Sequence, residues 1–126
     1  MQARRVAAVA AGELSHGERH EIDKAIRAAE QSCRFEFSVF VGRAQGDSRP
    51  FAVRLHGASV APARSVLVLV DAHARAIEVV TGDVVRRTLS DGEVELAILQ
   101  MRSAFAEGEL VRGLVRGVTQ LAEHAR

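Results

Sequence analysis

The run Ser65-Val-Leu-Val-Leu-Val-Asp71 constrains what this chain can fold into more than any other segment. Five consecutive apolar β-formers leave neither side of the strand polar. Both sides must therefore be covered, as at the centre of a sheet with helices above and below it. Asp71 to Arg75 closes a tight turn into Ala76-Ile-Glu-Val-Val-Thr-Gly82, which makes an antiparallel hairpin. Glu78 faces opposite to Ile77 and Val79, so this second strand lies nearer an edge.

Helices flank the hairpin on both sides in the sequence. Ser15-x-x-Glu18 is a capping box, in which hydroxyl and carboxylate satisfy each other's backbone donors. Ile22, Ala25, Ile26, Ala29 and Cys33 follow at helical spacing and form one apolar stripe. Phe35 to Val41 reads as a strand with one fully apolar side and one mixed side. Gly42 to Pro50 is a loop. Asp47 or Ser48 then caps a short helix with Pro50 in its first turn, Phe51 and Leu55 inward and Gly57 as its stop.

Beyond the hairpin, Asp83 is expected to cap a short helix from Val84 to Leu89. Ser90-x-x-Glu93 is a second capping box, with Leu89 and Val94 as its hydrophobic staple. Val94, Ala97, Ile98, Met101 and Phe105 carry the apolar side of the helix it opens, and Gly108 separates that helix from the last one. In the last helix Gly113 and Gly117 sit one turn apart, which permits close approach inside the monomer or across a dimer seam. The N-terminal piece, Arg4 to Ala11 within residues 1–12, reads as a short edge strand or a loose segment. Residues 1–126 thus form a single α/β domain, a three-layer α/β/α sandwich on a small mixed sheet.

Composition narrows the partners. A formal charge of +1, with sixteen scattered Arg and one Lys, gives no drive toward nucleic acid. Trp and Tyr are absent, which removes the usual base-stacking anchors. No apolar run approaches the ~20 residues of a membrane span. Met1-Gln-Ala-Arg-Arg before Val6 to Ala11 resembles a signal peptide, but Gly12-Glu13 ends its apolar part early. A cytoplasmic protein is expected, or an exported or membrane-associated one if a leader is missing. The sole cysteine, Cys33, ends an apolar stripe and reads as a buried, inert thiol.

Few residues offer chemistry. Asp71 ends the central strand, Asp83 follows the next one and Asp91 opens the long helix, and if the strand ends and helix start converge they could share a hard cation such as Ca²⁺ or Mg²⁺. Each also has a structural role available, as turn residue, helix cap and first-turn carboxylate respectively. His16 and His20 lie four apart, a metal-binding spacing, but on the polar side of their helix, where a solvated pair is expected. His73 falls in the hairpin turn, and His56 and His124 have no evident partners. There is no glycine-rich phosphate loop, dinucleotide fingerprint or Gly-x-Ser-x-Gly elbow, so no nucleophile and no organic cofactor can be named.

From Ser15 onward the chain resembles the TPM domain family, through the first helix, Phe35 to Gly42, the two hairpin strands, Leu89-Ser-Asp91 and Phe105-Ala-Glu-Gly-Glu-Leu-Val-Arg-Gly. It looks closest to an actinobacterial branch carried as a domain of unknown function. The resemblance implies an α/β/α sandwich, with acid phosphatase activity in some relatives and Ca²⁺ binding in others. Ala63-Arg-Ser65 stands where the family has Asp-Asn-Gly, and Gly82-Asp-Val-Val where it has Gly-Leu-Glu-Gly. Asp91 matches an acidic family position, Asp83 stands in for part of the lost acidic set, and Arg64 brings positive charge to the loop. The expectation is a non-enzymatic binding or adaptor module for a protein partner. The alternatives are a weak divalent-metal-dependent acid phosphatase using the three aspartates, or a scaffold that self-associates through Gly113 and Gly117 as a weak homodimer.

Overall fold

Reciprocal hydrogen bonds at Ser15 open the first helix: its Oγ accepts from Glu18 N at 3.1 Å, and its own N–H donates to the Glu18 carboxylate at 2.8 Å. The structure is a computed structural model that describes residues 14–126. Its elements follow in the order α1 (His16–Cys33), β1 (Glu36–Val41), α2 (Ser48–Gly57), β2 (Ser65–Asp71), β3 (Ala76–Thr81), α3 (Asp91–Ala106) and α4 (Leu110–Ala125). Short 3-10 turns precede β2 (Pro62–Arg64) and follow β3 (Val85–Arg87). The strand expected over Arg4 to Ala11 lies outside the described residues.

Among the described residues the sheet runs β1-β2-β3, with β2 central because it has nothing polar to leave exposed. β1 pairs with it in parallel, from Glu36 opposite Ser65 to Val41 opposite Val70. β3 pairs antiparallel, from Val66 opposite Thr81 to Asp71 opposite Ala76. The sheet is therefore mixed, and among the described residues β3 is an outer strand, in keeping with the polar Glu78.

Alternation along β2 sends its residues to two separate clusters. Val66, Val68 and Val70 join Phe37, Val39 and Val79 against the apolar stripes of α1 and α4, including Ile22, Ile26, Leu114 and Leu121. Leu67 and Leu69 join Phe40 and Val80 against Ala52, Phe51 and Leu55 of α2. On that side the Phe40 and Phe51 rings meet edge to face, 5.4 Å between centroids. Burial of each large side chain contributes about 1.5–3 kcal/mol, so the side under α2, with fewer of them, is the thinner half of the core. α3 packs on α4 and on β3 through Ala97 and Met101.

Several local expectations need correction. Asp83 caps no helix from Val84 to Leu89, because its carboxylate pairs with Arg86 and the segment makes only the turn Val85–Arg87. Gly57 ends α2 without left-handed backbone, and Ala58 after it has φ −87° and donates to Arg54 O at 3.1 Å. Gly108, at φ +78°, does supply the left-handed break before α4. Gly113 and Gly117 are used inside the monomer: Cβ atoms there would meet Phe105 Cε1 at 2.7 Å and Met101 Sδ at 2.5 Å. The two glycines thus serve close packing of α4 on α3 within the monomer.

Candidate functional site

The residues of β3 that turn their backbone away from β2 border a recess on the described surface. Phase is fixed at the strand's end, where Gly82 N donates to Ser65 O at 3.0 Å. Residues 78 and 80 then turn their amide groups toward β2, and Ile77, Val79 and Thr81 turn theirs outward. Arg49, in the first turn of α2, donates from Nη1 to Val79 O at 2.9 Å. Arg86, from the 3-10 turn, donates from Nη1 to Thr81 O. Between this row and α3 lies a cleft of about 620 Å³. Ile77, Val79, Val94 and Ile98 supply its aliphatic lining. Its rim carries Arg49, Arg86 and Arg102 against Glu78, Asp91 and Glu95, three charges of each sign.

Glu78 is the organising carboxylate of that rim. It accepts from Ser48 Oγ at 2.6 Å and faces Arg49 Nη1 at 3.5 Å, which holds the start of α2 over the strand. The Arg49–Glu78 pair is half exposed, so it contributes little energy and mainly sets geometry.

The three aspartates singled out by sequence do not meet. Asp71 is buried at the far end of β2, where it accepts from Ala44 N at 2.9 Å and Ala74 N at 3.0 Å. Burial alone would push its carboxyl up. The backbone N–H groups of Ala44, Ala74 and His73, with the nearby His73 ring, outweigh that and hold it below the ordinary value. Asp71 thus ties the loop after β1 to the hairpin turn. Asp83 and Asp91 sit past the other end of the hairpin, because Thr81 pairs with Val66 while Asp71 pairs with Ala76. At 3.3 Å per residue the two ends are roughly 17 Å apart. Asp83 is exposed and paired with Arg86, and only Asp91 reaches the cleft. Among the described residues no three His, Cys, Asp or Glu side chains group closely enough to hold a metal ion. The expected convergence is therefore corrected: the hairpin that links these residues also separates them.

Other candidates resolve as structure. His16 and His20 are exposed on α1. His73 Nδ1 and Arg43 Nη2 approach to 3.4 Å across the end of the sheet. His56 and His124 do have partners: His56 Nε2 lies 2.9 Å from Ser65 O, and His124 Nδ1 lies 3.1 Å from Glu93 Oε2. Cys33 is buried, and burial raises its thiol pKa, as its place in the stripe implied. Arg64 does not project over an ion site. It lies on the Phe35 ring, Cζ 4.8 Å from the centroid, and donates to Arg34 O at 3.2 Å.

Sequence reasoning missed Arg49 and Arg86. A basic residue in a helix's first turn is a weak signal, and nothing local reveals which carbonyl it reaches. No helix among the described residues is long and apolar enough to cross a membrane.

Residues 5–122 match the family described as "Domain of unknown function (DUF5130)". The chain belongs to this family. Uncharacterized proteins from two strains of Mycobacterium tuberculosis are each 31% identical to the DUF5130 chain over 101 residues, 80% of its length. The chain spans about 60% of the length of these curated relatives. Among solved structures, the BA42 protein of Bizionia argentinensis is similar with a TM-score of 0.80 at 19% identity, covering 91% of this chain and 83% of that one. The N-terminal domain of a P. gingivalis protein gives 0.76 at 22% identity, with 96% and 82% covered. The N-terminal domain of the cg2496 protein of Corynebacterium glutamicum gives 0.71 at 13% identity, with 99% and 81% covered. At such identities the likeness is one of fold: a mixed α/β domain with, among the described residues, a small mixed sheet and four helices.

Proposed function

We propose that this DUF5130 domain is a non-enzymatic binding or adaptor module on a TPM-like α/β/α sandwich, and that the cleft between β3 and α3 receives a protein partner. Support for the sandwich comes from α2 packing on one side of the sheet and α1 with α4 on the other. The carrying observation for binding is the cleft itself, a recess lined by charges of both signs with a few aliphatic side chains between them, beside the strand that is outermost among the described residues. The aspartates that would serve a metal-dependent acid phosphatase are occupied elsewhere: Asp71 by loop amides and Asp83 by Arg86. A cytoplasmic address belongs to the same reading, with its lone, buried thiol in support.

A photo-crosslinking residue at Arg102, in the cleft, compared with one at Arg27, on the exposed side of α1, tests the reading in the native host. A discrete protein adduct at position 102, absent at 27, is expected. Turnover of a generic phosphomonoester, dependent on Ca²⁺ or Mg²⁺ and abolished by Asp91→Asn, would overturn it in favour of the phosphatase.

A further inference from the structure

We infer that the outer edge of β3 accepts an extended, acidic segment of a partner protein as an added strand, with Arg49 and Arg86 selecting it. The inference rests on the binding reading above and names the mode and chemistry of the partner.

Val79 O and Thr81 O lie two residues apart on the outward row and each accepts a guanidinium N–H. The two arginines come from different elements, α2 and the 3-10 turn Val85–Arg87. Donors at a two-residue repeat along a strand are what a neighbouring strand supplies. Among the described residues no strand lies beyond β3. The guanidinium groups therefore stand in the places of an absent strand's N–H groups. Such charged cover guards an edge against indiscriminate pairing.

An arriving strand replaces those donors with its own N–H groups and releases two cations at its border. Glu78 and Asp83 already face Arg49 and Arg86 from the domain's side. Carboxylates on the new strand would face the same cations from the opposite side and favour the exchange. Alternation fixes where they sit. One set of the strand's side chains points to the α2 side, beside Arg49. The other points to the α3 side, over Ile77, Val94 and Ile98. The matching sequence alternates acidic and apolar residues. A second copy of β3 fits less well: antiparallel pairing centred on Val79 would bring the Arg49 side chains of both copies to one point, like charge on like.

The test uses the full chain and a blocked Val-Glu-Val-Glu-Val-Glu-Val peptide, followed by amide NMR and hydrogen exchange. In the free protein the Ile77, Val79 and Thr81 amides should exchange readily. The peptide should protect them and shift signals of β3 and the two guanidinium groups. A Val-Lys counterpart should bind about tenfold more weakly, the size of two exposed ion pairs. Arg49→Glu should lower affinity for the Glu peptide similarly, and Arg49→Gln, which keeps a donor for Val79 O, should fall between. Equal binding of the Lys peptide would overturn the inference. So would shifts confined to other surfaces, or amides already protected in the free chain by another strand of this chain or by a second copy. A partner that still crosslinks at Arg102 when saturating Glu peptide is present during irradiation would leave the adaptor reading standing and remove strand addition.

Discussion

Replacing Gly82 by Ala tests the packing argument most directly, because backbone blocks the new methyl group. A Cβ at residue 82 would lie closer than 3.0 Å, which real Cβ atoms essentially never show, to the carbonyl oxygen of Pro62 and the carbonyl group of Ala63. Gly82 does not have left-handed backbone, so the effect is steric rather than conformational. Relief requires the Pro62–Arg64 turn to move, and three hydrogen bonds tie it down: Gly82 N to Ser65 O at 3.0 Å, Val84 N to Ala63 O at 2.9 Å and Ser65 Oγ to Ala61 O at 2.6 Å. Losing three such bonds removes about 3 kcal/mol. A stiffer unfolded chain offsets about 0.4–1 kcal/mol, which leaves a loss of about 2–2.5 kcal/mol. For 126 residues at about 2.1 cal/mol/K each, every kcal/mol lowers Tm by roughly 4 °C. Thermal denaturation followed by circular dichroism should therefore fall by about 8–10 °C. Gly117→Ala is the control. Its Cβ would meet the unbranched Met101 side chain, Sδ at 2.5 Å and Cγ at 2.7 Å, rather than backbone, and Ala is the better helix former. Its Tm should fall by less than half as much. A Gly82→Ala loss under about 3 °C, or the reverse order of the two variants, would refute the reasoning.

Asp71 should give stability a defined pH dependence. Its folded carboxyl is held below the ordinary value, so its contribution is full above about pH 4 and is lost as pH falls through the lower folded value. Asp71→Asn should lower urea stability at neutral pH by about 1–3 kcal/mol and flatten the acid limb; an unchanged limb would count against the loop-tying role. Calcium at millimolar concentration should not raise Tm, because the aspartates lie at opposite ends of the hairpin; a rise removed by Asp91→Asn would contradict that geometry. Cys33 should resist Ellman's reagent in the native protein and react at the rate of unfolding, since its buried thiol has a raised pKa. Rapid labelling without denaturant would show that the end of α1 is open.

Much of the fold was legible because its signals are local or periodic. The two capping boxes each need only four residues, and both formed with all four hydrogen bonds in place. The unbroken Val-Leu run needs cover on both sides whatever its partners are, and Glu78 marks an outer strand by its parity alone. Contacts spanning the sequence were less legible. Asp83 looked like a cap by type and position, but Arg86 three residues on competes for its carboxylate. His124 looked unpartnered until α4 folded back and brought it to Glu93, thirty-one positions earlier.

Expecting Asp71, Asp83 and Asp91 to gather conflicted with the hairpin inferred from the same residues. A tight turn at Asp71 to Arg75 reverses the chain, so whatever follows β3 must return to the start of β2, away from Asp71. The same reversal puts Thr81 opposite Val66 and leaves residues 83 to 91 beside α3, which is why Asp91 lines the cleft and Asp71 does not. By contrast, Arg49 at the β3 edge depends on where α2 crosses the sheet, and the parallel pairing of β1 with β2 sets that crossing. No residue pattern within α2 encodes it, so the edge arginines become visible only once the topology is known.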